Sequence, residues 1–370
     1  MKISCNSQIL VDAVLNVGRA VSNKSCLTAL EGILIKAEND KVSLCGYNLE
    51  IGITTEIAAK VLEPGSIVLS AKIFSDIIRR SPTEDIIINT DEKLITTIKS
   101  GSSEFSIIGI AASEYPELPI INQHATLNLD SSVLKSMIKQ TIFAVSENDE
   151  KPINTGILFD INEKELNLVS VDGFRLAKRT EILESINCEK NLSFVVPGKT
   201  LSEIFKLIVD DKNTEILVGN KHILFKIENY CVISRLLEGD FLDYNAAIPK
   251  TQTTEVIVNT RKFIESVERV SLVITDRLKS PVRCIFSNGN VKISCITALG
   301  KANDEFDLET NGDTVEIGFN NKYLLEALKN TETDQVKIHM NGPLSPMKIM
   351  PTDGNQFVFL VLPVRLKANG

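Results

Sequence analysis

The sequence repeats one helical segment three times, with more than a hundred residues between successive copies. Three stretches align without a gap: SAKIFSDIIRR (70–80), PGKTLSEIFKL (197–207) and NNKYLLEALKN (320–330). A lysine recurs in register, as Lys72, Lys199 and Lys322, and an acid follows each lysine four residues later. Amphipathic helices share apolar positions by chance, but a shared cation and acid indicate that a whole domain is repeated.

A second helical pattern opens each third of the chain. Its apolar runs start at Ile9, Val133 and Phe263, and a residue with capping chemistry precedes each start by three positions: Asn6, Asp130 and Thr260. Alternating runs such as KVSLCGYNLEIGITTEI separate the helices and predict strands.

These patterns predict an α+β fold of three repeated domains. Each domain is expected to pack two helices on an antiparallel sheet of about eight short strands. Proline-marked stretches near 114–123 and 246–254 set the boundaries. The predicted domains are 1–121, 122–250 and 251–370.

The net charge of −8 is unevenly distributed. The six helical segments together carry +6, so the remainder of the chain carries −14. If the helices share one side of the molecule, that side attracts phosphate and the other repels it. The alternative, that these are ordinary solvated helix faces, stays open because the surplus is small.

Catalytic and metal-binding motifs are absent from the sequence. PGKT (197–200) lacks the earlier glycine of a phosphate loop and is better interpreted as the entry to a repeated helix. The seven cysteines never have CxxC spacing, which predicts buried free thiols in a reducing compartment, and we expect a cytoplasmic protein. No apolar run is long enough to span a membrane.

Asp172-Gly173 lies between alternating apolar residues in VSVDGFRLAKRT (169–180). The pair predicts a hairpin with a type I′ turn, in which both central residues have positive φ. Phe174 and Arg175 follow directly. Two interpretations remain open: the aromatic ring is buried in the hairpin, or it lies beside a surface that binds another molecule.

The chain resembles the bacterial DNA sliding clamp family, the beta subunit of DNA polymerase III, over essentially its whole length. Four segments carry the resemblance: DGFRLA (172–177), GFNNKYLLEAL (318–328), VLPVRL (361–366) and KPINTGILF (151–159). The resemblance implies a head-to-tail homodimer, a closed ring of six domains. Helices line the hole, and a continuous sheet forms the outside.

The same resemblance implies a non-catalytic processivity factor that needs no cofactor and no metal. Double-stranded DNA would be encircled without recognition of its sequence. The expected protein partners are the catalytic subunit of DNA polymerase III, the clamp loader, other polymerases and mismatch-repair proteins. Each would bind through a short linear motif, and no membrane contact is expected.

The resemblance assigns residues to two of the surfaces of this ring. The expected DNA-facing residues are Lys24, Lys72, Arg79, Arg80, Asn148, Lys199 and Arg269. The expected dimer contacts are Phe105, Ile107, Leu272 and Val273, unless these four are core residues of their own domains.

The resemblance also implies a hydrophobic peptide pocket between the second and third domains. Its expected residues are Asn154, Val171, Gly173, Phe174, Arg175, Leu176, Leu242, Ala246, Ala247, Leu278, Asn320, Tyr323, Leu344, Leu360, Leu362, Pro363, Val364 and Arg365. Such an apolar groove with a few polar groups suits one or two large peptide side chains.

Three positions depart from the family pattern. Phe174 stands where many clamps have histidine, Ala246 replaces an arginine found in some members, and Asn154 replaces a common leucine. We therefore expect a more apolar contact and an altered motif preference. The chain also continues past the usual end through residues 367–370, which are expected to shield part of the groove.

Two other functions remain possible interpretations of the same residues. One is an enzyme on a repeated α+β scaffold, which would need clustered acids with perturbed pKa values in one cleft. The other is a monomeric protein-interaction scaffold that does not bind DNA. Oligomeric state separates the second alternative from a ring.

Overall fold

The computed structural model describes residues 1–22, 24–148, 150–183, 186–187, 191–275 and 280–366. The described residues form two compact units. Unit 1 contains those within 1–134, 186–187 and 202–236, and unit 2 contains those within 135–183, 191–201 and 237–366.

The described part of the chain contains seven α-helices, six of which are long enough to present one apolar face. They are α1 (Ser7–Val17), α2 (Ala71–Arg79), α3 (Ser131–Ile142), α4 (Gly198–Leu207), α5 (Tyr244–Ala247), α6 (Thr260–Ser271) and α7 (Asn321–Lys329). Short 3-10 turns occupy Gly18–Ala20, Thr28–Glu31, Ala112–Glu114 and Pro152–Thr155.

Strands account for most of the remaining chain. The first third contains β1 (Lys2–Asn6), β2 (Gly32–Glu38), β3 (Lys41–Tyr47), β4 (Ile51–Ala58), β5 (Lys60–Glu63), β6 (Gly65–Ser70), β7 (Asp85–Thr90), β8 (Ile95–Ser100) and β9 (Ser103–Ile108). The middle third contains β10 (Gln123–Asp130), β11 (Gly156–Asn162), β12 (Glu165–Val171), β13 (Arg175–Ile182), β14 (Ile186–Asn187), β15 (Asn191–Pro197), β16 (Asn213–Gly219), β17 (His222–Ile227) and β18 (Tyr230–Arg235). The last third contains β19 (Thr254–Asn259), β20 (Val282–Ser287), β21 (Asn290–Thr297), β22 (Gly300–Asp307), β23 (Glu309–Gly312), β24 (Val315–Phe319), β25 (Gln335–Met340), β26 (Met347–Pro351) and β27 (Phe357–Val361).

Unit 1 contains two sheets, and their described pairings are antiparallel. One sheet has the order β5-β1-β7-β8-β9, and the other has the order β14-β10-β16-β17-β18-β4-β3-β2-β6. The second sheet joins the first and middle thirds of the chain, because β18 pairs with β4 and places Val232 opposite Ile53.

Unit 2 is built in the same way. Its sheets have the orders β15-β11-β12-β13-β27-β26-β25-β19-β23 and β22-β21-β20-β24. Here β13 pairs with β27, and Leu176 lies opposite Leu360. One nine-stranded sheet joins strands of the first and middle thirds, and the other joins strands of the middle and last thirds. The described residues therefore form two compact units, although the sequence pattern repeats three times.

The repeated helical positions have the same environment in all three copies. Phe74, Leu201 and Leu324 are fully buried on α2, α4 and α7, whereas the lysine two residues before each is exposed. The repeat predicted from the sequence is therefore confirmed in structure, with nine described strands in each third where about eight were expected. PGKT is the entry to α4, as predicted.

Two of the three predicted helix caps are correct. Asn6 Oδ1 accepts the N–H of Ile9 at 3.2 Å, and Asp130 Oδ1 accepts the N–H of Val133 at 3.1 Å. The prediction for α6 was wrong by one residue: Asn259 is the cap and accepts the N–H of Lys262 at 2.9 Å. Thr260 instead begins the helix and is buried, so its side chain cannot occupy the cap position.

Six of the seven cysteines lie in the described part of the chain, and all six are free thiols. Cys5, Cys284 and Cys295 are buried as predicted, but Cys26 is exposed, so the prediction of buried thiols was wrong there. Burial raises the pKa of the Cys5 thiol to about 11 and that of Cys284 to about 12. These two thiols therefore stay protonated and act as small apolar core groups.

Candidate functional site

The hairpin turn between β12 and β13 differs in type from the predicted one. Its central residues are Gly173 and Phe174, since the N–H of Asp172 donates to the carbonyl of Arg175 at 3.3 Å. Only Gly173 has positive φ, at 89°, which is the pattern of a type II′ turn rather than type I′. Asp172 Oδ1 accepts the N–H groups of Phe174 (2.9 Å) and Arg175 (3.0 Å), which fixes Asp172 at the start of the turn.

The guanidinium of Arg175 lies beneath this turn, where the residue is only 7% exposed. Its Nε donates to Asp172 Oδ2 at 2.9 Å, and its Nη1 donates to a carboxylate oxygen of Glu326 on α7. Its Cζ lies 4.6 Å from the ring centroid of Tyr323 and 5.5 Å from that of Phe143. Arg175 therefore connects the turn to α7 through ion pairs and cation–π contacts.

The Phe174 ring, in contrast, points outward and is 58% exposed. It stacks on Tyr323 with ring centroids 5.7 Å apart and an interplanar angle of 20°. The interpretation in which this ring is buried in the hairpin is therefore wrong. Since one aromatic pair is held at the surface by the buried Arg175, the turn presents a fixed apolar platform.

Beside this platform, four of the predicted pocket residues belong to one apolar cluster. Val171, Leu176 and Leu360 are buried in it, and Ala247 packs against it. The three buried residues come from β12, β13 and β27 and point to the same face, because β-strand side chains alternate. These four residues form what we call the groove floor.

The segment after β27 is fixed by backbone hydrogen bonds. The N–H of Leu362 donates to the carbonyl of Phe174 at 2.9 Å, and the N–H of Val364 donates to that of Gly318 at 2.8 Å. A Cβ at Gly318 would lie 2.8 Å from the carbonyl oxygen of Val364, so this close approach requires glycine. The segment therefore runs alongside the turn.

Four of the predicted pocket residues are large apolar side chains that the fold leaves exposed. Leu242, Leu344, Leu362 and Val364 are all exposed, Leu344 to 69%. Leu362 and Val364 belong to the segment that runs alongside the turn, so exposed apolar surface continues from the platform along that segment.

The other predicted pocket residues differ in burial and in position. Asn320 caps α7, its Oδ1 accepting the N–H of Lys322 at 3.0 Å. Asn154 is half-buried in the 3-10 turn after Lys151, Pro363 is half-buried, and Ala246 and Arg365 are exposed. Leu278 and the chain extension at 367–370 lie outside the described residues.

Sequence analysis missed several residues at this site. Tyr244 is buried in the cluster that contains the groove floor, and its hydroxyl donates to Asp160 Oδ2 at 2.5 Å. Burial, assisted by that carboxylate, raises the pKa of the Tyr244 hydroxyl above its usual range. Ile153, Phe241 and Ile248 also pack against the cluster. The sequence signal was Asp243, whose side chain caps the single turn of α5.

The predicted DNA-facing cations fall into two groups according to their partners. Lys24, Lys72, Arg79 and Lys199 are exposed and have no carboxylate within 4.0 Å in the described part of the chain. Arg80 lies 3.6 Å from Asp76, which is a weak exposed pair. Asn148 is exposed, and its Oδ1 accepts the N–H of Glu150 at 3.0 Å.

Arg269 is fully engaged within the chain. Its Nε and Nη2 donate to Asp304 Oδ2 at 2.7 and 2.6 Å. Burial opposes ionisation of Asp304, but the hydrogen bonds from Arg269 outweigh it and lower the pKa of this carboxyl. Because its charge is compensated, Arg269 contributes less to an anion-attracting surface than the four unpaired cations.

Several other helical cations are also paired within the chain. Lys139 lies 2.6 Å from Glu332, Lys329 lies 2.6 Å from Glu268, and Arg19 lies 3.5 Å from Glu203. The net charge counted on the helical segments therefore overstates how many cations are available to an external phosphate.

Two of the predicted dimer contacts, Phe105 and Ile107, lie on the edge strand β9, and the other two, Leu272 and Val273, directly follow α6. β9 is the last strand of the five-stranded sheet, and β22 is the last strand of the four-stranded sheet. Phe105 on β9 is 43% exposed, and Leu272, just past α6, is 82% exposed, so neither is a core residue. Ile107 is half-buried, and Val273 packs partly against the core of unit 2.

Two kinds of feature are absent from the described residues, a metal-binding cluster and a membrane-spanning helix. No group of three or more histidine, cysteine, aspartate or glutamate residues is placed to hold a metal ion among the described positions. Likewise, none of the helices in the described ranges has the length and apolar character to span a membrane.

Comparison with known proteins covers nearly the entire chain. Residues 1–119, 128–243 and 245–365 match the family profiles of the DNA polymerase III beta subunit N-terminal, central and C-terminal domains. The protein named beta sliding clamp from Bacillus subtilis is 33% identical, covering 99% of this chain and 100% of the relative. The beta sliding clamp of Halalkalibacterium halodurans is 34% identical over the same shares of both chains.

Solved structures agree with the sequence matches. The DNA polymerase sliding clamp from Bacillus subtilis superposes with a TM-score of 0.96 at 32% identity, covering 99% of this chain and 100% of that one. The beta subunit from DNA polymerase of Streptococcus pyogenes gives a TM-score of 0.93 at 30% identity and the same coverage. With three domain profiles in order along the sequence and relatives matched from end to end, this chain belongs to the DNA polymerase III beta subunit family.

Proposed function

We propose that this protein is a DNA sliding clamp, a non-catalytic processivity factor that encircles duplex DNA and tethers a DNA polymerase to it. The observation that carries the proposal is the match of the whole chain to beta subunits named sliding clamps. Three domains, 1–121, 122–250 and 251–370, would each contribute one third of a half-ring.

The unpaired edges of the chain support a closed dimer. An exposed edge strand offers free N–H and C=O groups to another chain. In a head-to-tail dimer, β9 of one protomer would pair with β22 of the other. The exposed side chains of Phe105 and Leu272 would then be buried in the interface.

The four unpaired cations support weak contact with the DNA backbone. Phosphate contacts carry no sequence information and weaken steeply with salt. Because a closed ring keeps DNA inside by topology, tight phosphate binding would only slow sliding. A small number of exposed, unpaired cations suits such a function.

The groove floor and the Phe174–Tyr323 platform support docking of short linear motifs. We propose that the catalytic subunit of DNA polymerase III, the clamp loader, other polymerases and mismatch-repair proteins bind here in turn. An apolar floor with an aromatic platform suits one or two large side chains of an extended peptide.

The test is native mass spectrometry combined with negative-stain electron microscopy. A ring of twice the 40.8 kDa chain mass is expected. Leu272→Asp should convert the ring to monomers, while Leu344→Asp, at an exposed leucine of the proposed groove, should leave it intact. A wild-type protein that stays monomeric at micromolar concentration and on nicked circular DNA would refute the ring.

A further inference from the structure

Unit 2 contains a second cleft, on the same sheet face as the groove floor. Its volume is about 680 Å³. Lys178 and Thr180 line it from β13, Glu165 from β12 and Val358 from β27. Each of these strands also supplies a floor residue an even number of positions away, so the side chains share one face.

The cleft adjoins the groove floor at the short helix α5. Ala246 lines the cleft, and the adjacent Ala247 packs against the cluster beneath the groove. Along β13 the cleft begins two residues beyond Leu176 and extends to four residues beyond it. At about 3.3 Å per residue, the distance from floor to cleft is roughly 7–13 Å.

Two acids, Asp243 and Glu165, also line the cleft and keep their negative charge, but one oxygen of each accepts hydrogen bonds from uncharged donors close by in the chain. Asp243 Oδ1 accepts the N–H groups of Asn245 and Ala246 at 3.1 and 3.2 Å. Glu165 Oε1 accepts the side-chain amide of Asn167 at 2.9 Å. Neither carboxylate has a cation within 4.0 Å in the described part of the chain.

The lysines of the cleft likewise have no ion-pair partner among the described residues. Lys178 Nζ lies 5.5 Å from the ring centroid of Tyr244 and is otherwise uncompensated, and Lys250 makes no ion pair with any described residue. The nearby Lys348 differs, because its Nζ donates to the carbonyl of Pro249 at 3.2 Å. Two ammonium groups are therefore free to meet an incoming anion.

We propose that this cleft receives a carboxylate side chain located two to four residues from the apolar anchor of the same partner peptide. The inference rests on the proposed function of the groove. An extended peptide advances by about 3.3 Å per residue, so this spacing matches the distance from floor to cleft. Ala246, which has no long side chain, leaves the path between groove and cleft open.

The test uses two fluorescein-labelled peptides of identical composition with the full-length protein. Each has a core of two leucines and a phenylalanine. One has glutamates three residues from the core on both sides, and the other has them seven residues away, with glutamines at the vacated positions. Their dissociation constants are compared by fluorescence anisotropy at 0.1 M salt.

The peptide with near glutamates should bind roughly threefold to tenfold more tightly, since each partly exposed ion pair is worth up to about fivefold. Lys178→Gln combined with Lys250→Gln should reduce this advantage to less than about twofold. Lys250→Gln alone should reduce it partly, which keeps the test valid if the Lys178 change disturbs Tyr244. Lys60→Gln, an exposed unpaired lysine of β5, is the matched control and should change nothing.

The outcomes separate the two proposals. Equal affinity of the two peptides for the wild type, or an advantage that survives in the double variant, overturns the cleft assignment and leaves the groove standing. If neither peptide binds, or if Phe174→Ala weakens neither, the groove itself and the proposed docking function fail.

Discussion

Replacing Arg175 by methionine tests whether the platform depends on the buried ion pairs. Methionine retains most of the apolar volume but removes the charge. Breaking a buried ion pair from one side costs ~3–5 kcal/mol. Two features reduce this cost here: the Asp172 carboxylate keeps two backbone N–H donors, and the Glu326 side chain is 32% exposed and can be hydrated.

We therefore expect Arg175→Met to lower the free energy of unfolding of unit 2 by about 2–3 kcal/mol. For a unit of this size the melting temperature should fall by roughly 5–10 °C. Amide hydrogen exchange in 170–178 should accelerate more than exchange in the core of unit 2, because the turn loses its link to α7.

The assay is thermal melting by circular dichroism, with exchange measured by mass spectrometry. Arg79→Met is the matched control, since Arg79 is exposed and has no ion pair, and it should lie within ~0.5 kcal/mol of wild type. If Arg175→Met melts within 1 °C of the control and exchange in 170–178 is unchanged, the turn is held by Asp172 alone and our reasoning is refuted.

Three further predictions concern other parts of the molecule. Phe174→Ala should weaken binding of an apolar peptide about tenfold by fluorescence anisotropy while leaving the melting temperature unchanged, because the ring is mostly exposed; unchanged affinity would contradict the platform. Lys72→Gln with Arg79→Gln should reduce the slope of log K against log salt for duplex DNA by about 2, whereas Arg261→Gln, which removes a cation already paired with Glu265 at 2.9 Å, should change it less. The lowered pKa of Asp304 means that its ion pair stabilises the fold above pH 4 and stops doing so as pH falls through the folded pKa. Thermal melts should therefore show Asp304→Asn less stable than wild type at pH 7, with a difference that shrinks as the pH is lowered below about 4; a difference that stays constant as the pH falls would exclude this cause.

Local sequence patterns predicted the repeat, the paired helices and most caps, because these depend on neighbours three or four residues apart. The error at α6 is instructive. Asn259 and Thr260 both have capping side chains, and the sequence alone does not say which one is buried. Burial of Thr260 against the core decided the position.

The groove was only partly accessible to sequence reasoning. Asp172-Gly173 predicted a turn, but not that the Asp172 side chain would bind two N–H groups and move the turn centre by one residue. The Glu326 partner of Arg175 lies 151 positions away in the chain, and Tyr244 reaches its site from a separate segment. Contacts of this range depend on sheet order, which no local pattern contains.

Charge counting had the same limit. Arg19 and Glu203 are 184 positions apart, and Lys139 and Glu332 are 193 apart, yet each forms a pair. A charge count within one helical segment includes its cations but not the acids, distant in sequence, that neutralise them. Among the predicted DNA-facing residues, Lys24, Lys72, Arg79 and Lys199 have no ion-pair partner in the described part of the chain.

The first third of the chain contains a turn with the same backbone hydrogen bonds as the turn at Asp172. Between β3 and β4, Asn48 Oδ1 accepts the N–H groups of Glu50 (3.0 Å) and Ile51 (2.9 Å), and the N–H of Asn48 donates to the carbonyl of Ile51 at 3.2 Å. These are the same three hydrogen bonds that Asp172 makes in the turn between β12 and β13. The two turns therefore have the same arrangement of hydrogen bonds.

What differs is the pair of side chains that follows. Glu50 and Ile51 occupy the positions of Phe174 and Arg175, and Leu49 takes the positive φ, 74°, that Gly173 takes in the second turn. The first turn thus has neither an aromatic platform nor a buried cation to hold one. Since the hydrogen bonds of the turn are the same in both repeats, the two turns differ in their side chains, Phe174 and Arg175 in one and Glu50 and Ile51 in the other, and not in backbone hydrogen bonding. The repeated fold therefore supplies the turn. The side chains of Phe174 and Arg175, which the first turn lacks, supply the apolar surface that a partner peptide would recognise.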